Sequence, residues 1–274
     1  MAIASYFFPN DMSLWGAGYL KVMQMLLVLG GLSTIWSEAL QKSPATYSKF
    51  ADLTKIKGKT LPSRKGMLVL YCPAAIAVVS ISVWTFSKTQ TNPEYQPSMR
   101  FWLILGAYVV HFNKRILEVL FVHRYSGCME ASTAGAIGFF YMFGTVNSLL
   151  AQHIADSSAP PPVNTIPVGI ALYSLGLAGN FYHHLLLSNL RKDGSRKYVV
   201  PQGGLFSLFV APHYICEIVE YGGMALISQT TYFACIFLTT LLYLGSRSYA
   251  TKVWYRKKVD GFPANRCALI PVLL

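Results

Sequence analysis

The sequence predicts an all-α membrane protein: a polytopic helix bundle with about seven transmembrane helices. Three observations carry that prediction. Hydrophobic residues make up 53% of the 274-residue chain and charged residues only 12%, about half the roughly 25% charge of soluble domains, and mean hydropathy is +0.41. Seven apolar runs follow one another, each near the roughly 20 residues that let a helix cross a ~30 Å hydrocarbon core. The basic residues between those runs fall on alternate sides.

The first run, Trp15–Trp36, is preceded by Asp11 and by no basic residue. It is expected to be a retained helix rather than a cleaved signal peptide, which would begin with positive charge. Gly66–Phe86, Phe101–Val122, Thr133–Ala151, Pro167–Ser188, Leu205–Ile227 and Thr231–Tyr249 follow. Phe101–Val122, Leu205–Ile227 and the end of Thr231–Tyr249 carry charge and are weaker by hydropathy alone.

The connections test the count independently. Lys42, Lys49, Lys55, Lys57, Lys59, Arg64 and Lys65 lie between runs one and two, Arg124 between three and four, and Arg191, Lys192, Arg196 and Lys197 between five and six. Arg247, Lys252, Arg256, Lys257, Lys258 and Arg266 close the chain, while the opposite side holds only Lys88 and Arg100. Eighteen against two requires an odd number of crossings. By the positive-inside rule the N-terminus is lumenal and the C-terminus cytosolic. The net charge of +12 is then a topology signal, and nucleic acid is not an expected partner. Cys72, Cys128, Cys216, Cys235 and Cys267 are odd in number and scattered, with no CxxC pair, so neither a disulfide framework nor a zinc site is predicted.

Thr89–Pro97 and Ser157–Pro167 read as short proline-stiffened loops, and Pro201–Gly204 as a break that positions the sixth run. Ser37–Lys65 is a basic linker in contact with lipid headgroups. The chain divides into an N-terminal transmembrane region, residues 1–100, with its cytosolic basic loop at 37–65, and a second transmembrane domain, residues 101–274.

Ionisable groups at bilayer depth cost roughly 2.5–3.5 kcal/mol each on insertion scales and mark sites by default. Run three holds His111, Lys114, Arg115 and Glu118, of which the first, second and fourth share a helical face. A Lys114–Glu118 or Arg115–Glu118 pair that merely orients the helix is the alternative, but such a pair is weak evidence for stability. Run five holds Asn180, His183 and His184, with Arg191 about three turns on, roughly 16 Å along a continuous helix. Adjacent histidines diverge by about 100° on a helix, so no metal is predicted. Run six holds His213, Glu217 and Glu220 at i, i+4 and i+7 beside Tyr214, immediately after Pro212. Rossmann and Walker glycine loops are absent. Any nucleotide phosphate would therefore fall to arginines at helix ends, Arg124, Arg191 and Arg247, whose planar forks suit it.

Specific strings extend this. Asn180-Phe-Tyr-His-His, Asn189-Leu-Arg-Lys, Tyr198-Val-Val-Pro-Gln-Gly-Gly-Leu-Phe206 and Pro212-His-Tyr-Ile-Cys-Glu-Ile218 resemble the C-terminal domain of steroid 5α-reductases. So do Trp254-Tyr255 and Ala268-Leu-Ile-Pro271. His111-Phe-Asn-Lys-Arg115 and Glu118-Val-Leu-Phe-Val-His-Arg124 are closer to the related trans-2-enoyl-CoA reductases. The resemblance covers roughly Leu61 to Leu274 and is specific from Asn180 onward.

The resemblance implies a seven-helix, NADPH-dependent reductase of the endoplasmic-reticulum membrane. Such an enzyme adds hydride to the β-carbon of a carbonyl-conjugated C=C bond in a small-molecule lipid. It puts Asn180, Arg191, Tyr198, His213, Glu217 and Tyr255 with NADPH, Arg124 and Arg247 at its diphosphate, and Lys114 and Tyr214 with catalysis. Three positions depart from the family pattern. Tyr71 stands where animal steroid reductases carry a carbonyl-polarising glutamate, Phe112 replaces a tyrosine that shares that role, and Thr251 lies near a cofactor-contacting histidine. Tyr71 is expected to take over polarisation through its hydroxyl; the alternative is an interfacial aromatic. Three functions follow: reduction of a Δ4-3-oxosteroid to its 5α-saturated ketone, reduction of a trans-2-enoyl thioester, or a catalytically silent sterol-binding or interaction protein on the same scaffold. A membrane methyltransferase fits the strings less well.

Overall fold

The computed structural model describes residues 17–40, 50, 58–157, 161–190, 199–263 and 265–269. Most of the expected basic linker 37–65, together with Arg191 and Tyr198, lies outside them. Among the described residues there are seven α-helices: α1 (Ala17–Thr34), α2 (Ser63–Thr91), α3 (Met99–Leu117), α4 (Ala131–Ala155), α5 (Ile166–Asn189), α6 (Pro212–Ser228) and α7 (Thr231–Lys258). Wider-pitched turns extend α1 through Ile35–Leu40 and α3 through Glu118–Val122.

Three helical segments are long and apolar enough to cross a membrane: Gly18–Glu38, Ser63–Thr91 and Ala131–Ala155. Their outward faces carry large apolar groups, with Ile76, Trp84, Phe86 and Phe140 all more than half exposed. That is what hydrocarbon rather than water on the outside demands, and the chain is a membrane protein. α3, α5 and α6 turn their polar residues inward instead.

The sixth element differs from its prediction. α6 begins at Pro212, because Leu205 and Phe206 are taken into a short 3-10 turn, Gly204–Ser207. Gly203 and Gly204 lead into it at φ 86° and 51°, a left-handed conformation that glycine adopts without steric cost. Gly204 also passes so close to α5 that a Cβ there would lie 2.8 Å from the Tyr182 ring and 2.9 Å from His183 Nε2. The segment after α7 returns to this turn: Val210 N–H donates to Cys267 O and Cys267 N–H to Leu208 O, both at 2.9 Å, and Arg266 donates to Pro201 O at 2.7 Å.

Two helix pairs are joined through glycine. In α5 and α6 a Cβ on Gly176 would lie 2.4 Å from Glu220 N and 2.6 Å from Cys216 O, and one on Gly223 would lie 2.4 Å from Tyr173 N. Small residues let backbones approach this closely where lipid supplies no hydrophobic drive to association. In α2, Pro73 removes a helix donor and leaves the Val69 carbonyl without its intrahelical bond. Gly138 of α4 sits against that carbonyl, where a Cβ would come within 2.6 Å. A two-stranded antiparallel ribbon, β1 (Thr60–Pro62) on β2 (Cys128–Glu130) with Leu61 opposite Met129, ties the starts of α2 and α4 together.

The two ends of the bundle are closed differently. At one, Ser98 donates from its N–H and hydroxyl to Asp156 at 3.0 and 2.6 Å while capping α3 through Phe101 N; Ser228 donates to Gln152 at 2.7 Å. α1 lies along α7, pinned at that same end by Gln24 to Thr231 at 2.9 Å and at the other by a buried pair in which Arg247 donates to both Glu38 oxygens at 2.9 and 3.0 Å. The cavity opens at that second end.

Candidate active site

Where α2 and α6 begin and α3, α5 and α7 finish, the helices enclose a cavity of about 290 Å³, close to the lower end of small-molecule sites. Its inner wall is organised by Arg115 of α3, which is only 7% exposed. The guanidinium is a planar fork with donors only. One arm, Nη1, donates to Glu118 and lies 2.9 Å from His184 Nδ1. The other, Nη2, donates to the Tyr71 hydroxyl at 2.7 Å. Glu118 Oε2 is also 3.1 Å from His184 Nδ1, so the ring's tautomer decides which neighbour it bonds. Lys114 Nζ is 3.0 Å from the second carboxylate oxygen, an ion pair rather than an aligned hydrogen bond.

α6 supplies the facing wall. Its first turns present His213, Tyr214 and Glu217 to the cavity, with the His213 and Tyr214 rings 4.3 Å apart. Among the described residues Glu217 makes no hydrogen bond. Met67, Met129 and Tyr141 add an apolar and aromatic side; the Tyr141 ring stacks on Tyr71 at 5.8 Å. Arg124, Arg247 and Tyr255 complete the lining, the last stacked on Phe262 at 5.1 Å. Arg247 reaches the cavity while bound to Glu38 and lying 4.2 Å over the Phe50 ring.

Of the expected site residues, Tyr71, Arg124, His213, Tyr214, Glu217, Arg247 and Tyr255 therefore line one cavity. Lys114 and Asn180 do not. They bond each other, and Asn180 Nδ2 donates to His213 O at 3.0 Å. The pair thus braces α3, α5 and α6 one layer behind the wall, because an amide and an ammonium that meet in a dry interface satisfy each other. Arg191 and Tyr198 lie outside the described residues. Phe112 is core, stacked on Tyr108 at 5.8 Å, and Thr251 is buried.

His123 and Tyr141 line the cavity without having been expected there, and Arg115 and His184, expected only as polar groups at bilayer depth with no assigned role, line it too. No spacing rule reaches His123, which follows the last turn of α3 and enters the wall because the chain bends there. Its ring meets His184 edge-on at 4.7 Å. Glu118, His123 and His184 bring three ligating atoms within 4.8 Å of one another, yet the carboxylate is already committed to Arg115. Burial, and then the Arg115 charge, push the His123 pKa down to about 4. Between that value and the ordinary 6.5 of an unfolded chain, the unfolded state binds more protons. Stability is therefore expected to fall as pH drops from about 6.5 to about 4, with no further loss from this group below it. Melting temperature against pH in detergent checks this: His123→Phe flattens the slope in that window, and an unchanged slope would refute the assignment.

The fold and cavity define a class: a membrane-embedded helix bundle with an arginine-centred pocket at one end and two further arginines in its lining. The sequence profile described as 3-oxo-5-alpha-steroid 4-dehydrogenase matches residues 129–274. Over 237 residues the chain is 31% identical to 3-oxo-5-alpha-steroid 4-dehydrogenase 1 of Homo sapiens, covering 84% of this chain and 90% of the human protein. It is 38% identical over 177 residues to the Mus musculus protein of the same name, covering 63% and 68%. It is 28% identical over 250 residues to very-long-chain enoyl-CoA reductase of Dictyostelium discoideum, covering 86% and 80%. The chain belongs to the 3-oxo-5-alpha-steroid 4-dehydrogenase family.

Proposed function

We propose that this protein is an NADPH-dependent oxidoreductase that saturates a carbonyl-conjugated C=C bond in a lipid, converting a Δ4-3-oxosteroid to its 5α-saturated 3-ketone. One observation carries the reading. A single cavity joins two guanidinium groups, Arg124 and the Glu38-paired Arg247, to hydroxyl, imidazole and carboxylate groups, Tyr71, Tyr214, His213 and Glu217. That donor set fits a dinucleotide, whose diphosphate needs guanidinium forks and whose carboxamide needs a hydrogen-bond acceptor such as Glu217. Arg191 and Tyr198 are assigned to the same cofactor from the sequence. NADPH supplies hydride; the protein orients the enone and stabilises the charge that develops on its carbonyl oxygen. Tyr71 is the donor we assign to that oxygen.

In this reading all seven helices cross the endoplasmic-reticulum membrane, with the N-terminus lumenal, the C-terminus cytosolic and the cavity rim on the cytosolic side. Residues 101–274 form the cofactor domain, to which residues 1–100 contribute Tyr71. Lys114 and Asn180 act from behind the wall by holding the start of α6.

Reduction of a trans-2-enoyl thioester is the second reading. It is favoured by Lys114 and Tyr214, which match the enoyl-CoA reductase branch, and by the likeness to an enoyl-CoA reductase, while Phe112, a phenyl ring with no oxygen to offer, departs from both branches. The test is NADPH loss at 340 nm by purified protein in detergent, with a 4-en-3-one steroid and, separately, with a trans-2-enoyl-CoA. Consumption with the steroid alone is expected, consumption with the thioester alone selects the second reading, and bound NADPH with no consumption identifies a silent binding protein.

A further inference from the structure

We propose that Arg115 is a positioning residue that makes the Tyr71 hydroxyl the acid for the substrate's carbonyl oxygen; this rests on the reductase reading above. The geometry is one-directional. A guanidinium has no acceptor, so in the 2.7 Å contact between Arg115 Nη2 and Tyr71 the phenol oxygen accepts. The phenol's own proton is not used in that bond. The arm cannot turn away, because Nη1 is held by Glu118 and His184 on two other turns of buried helix. The phenol ring is fixed in turn by the Tyr141 ring, 5.8 Å away and inclined by 23°. Tyr71 and Arg115 both face the cavity.

The consequence is chemical. As hydride brings its electron pair to the β-carbon, the C=C pair moves toward the carbonyl and negative charge gathers on oxygen. Tyr71 gives its proton to that oxygen, and the phenolate left behind is met by the Arg115 cation, which stays protonated. When the enol collapses, the α-carbon takes a proton from water and Tyr71 recovers its own. The sum is one hydride and one proton added across C=C, with Arg115 unchanged. A phenol without this neighbour would be a poorer acid in a cavity where an unpaired phenolate is costly.

The test uses the full chain in detergent micelles, as Tyr71→Phe, Arg115→Met and the double variant. Each single change is expected to lower kcat by about 10²-fold, in line with loss of one oxyanion donor, and the double variant should be no worse than Tyr71→Phe alone. NADPH affinity, followed by fluorescence, should stay within about twofold in all three, since neither residue is assigned to the cofactor. A readout independent of turnover comes from 3-fluorotyrosine placed at position 71 and titrated by fluorine NMR without cofactor or substrate. Its midpoint should be lower with Arg115 present than in Arg115→Met. Glu118, which holds Arg115, and every other titratable or charged group lining the cavity, His123, His184, His213, Tyr214 and Glu217 among them, are present in both proteins, so the difference isolates Arg115. If Arg115→Met does not fold, Arg115→Lys serves, because an ammonium cannot span both anchors and Tyr71; its midpoint should also rise.

Equal midpoints, or full turnover by Tyr71→Phe, would overturn the proposal while leaving the reductase reading in place. A protein that consumes no NADPH with either substrate overturns both, whatever the fluorine titration shows.

Discussion

Gly176→Val is expected to unfold the protein or, on the proposed reading, to strip it of cofactor binding. The new Cβ would be placed 2.4 Å from Glu220 N and 2.6 Å from Cys216 O. Both are backbone atoms of α6, so no side chain can swing aside and the two helices must separate. Overpacking of this kind costs about 1–3 kcal/mol and sometimes more, a large share of the roughly 5–15 kcal/mol that holds a domain together. Function should go with stability, because α5 carries His184 and α6 carries His213 and Glu217 on the cavity wall. Thermal unfolding in detergent checks it, with Gly106→Ala as the control: nothing lies within 4 Å of a Cβ there, and alanine should hold or raise the midpoint. A Gly176→Val protein that melts with the unmodified one would show that the seam is not tight.

The second large effect is expected from Glu118→Gln. Glu118 is 1% exposed and faces Lys114, Arg115 and His184. Glutamine keeps the size and removes the charge, leaving two cations in a dry interface. Breaking a buried pair by deleting one partner costs about 3–5 kcal/mol, because the remaining charge is uncompensated. Adding Lys114→Met should recover part of the loss, since one surplus cation then disappears. If the double variant is less stable than Glu118→Gln, Lys114 contributes through Asn180 rather than through charge. The same substitution loosens one anchor of the Arg115 fork, so on the proposed reading kcat should fall further than NADPH affinity.

The buried polar groups were legible for a physical reason. In an apolar sequence an ionisable group is an expense, so His111, Lys114, Arg115, Glu118, His213, Glu217 and Glu220 stand out against their neighbours, and helical spacing puts them on faces; of these only Arg115, His213 and Glu217 line the cavity. Helix ends were less legible. Hydropathy marks the part of a helix that meets hydrocarbon, and α2 runs from Ser63 to Thr91, past the apolar run at both ends. The apolar pair Leu205 and Phe206 falls in the run expected for the sixth helix, yet two left-handed glycines lead it into a short turn that sets Phe206 in the cavity wall. The ribbon of β1 and β2 has three residues per strand, too few for any alternation to register. The glycine seam did leave a signal, Gly169, Gly176 and Gly179 on one helix with Gly223 on the next, but spacing alone does not say which helices meet.

The amino-acid sequence by itself determined that this chain is a helical membrane protein, which of its helices carry polar faces, and the family strings from Asn180 onward. Those properties are local: each depends on residues within a few turns of one another. The tertiary structure decided which polar groups see the cavity and which brace it. Lys114 and Asn180 satisfy each other behind the wall, while Tyr71 and His123 reach the cavity beside Arg115. That sorting depends on how each helix is rotated against its neighbours, and the rotation is set by backbone contacts at Gly138, Gly176 and Gly223 between segments far apart in the chain.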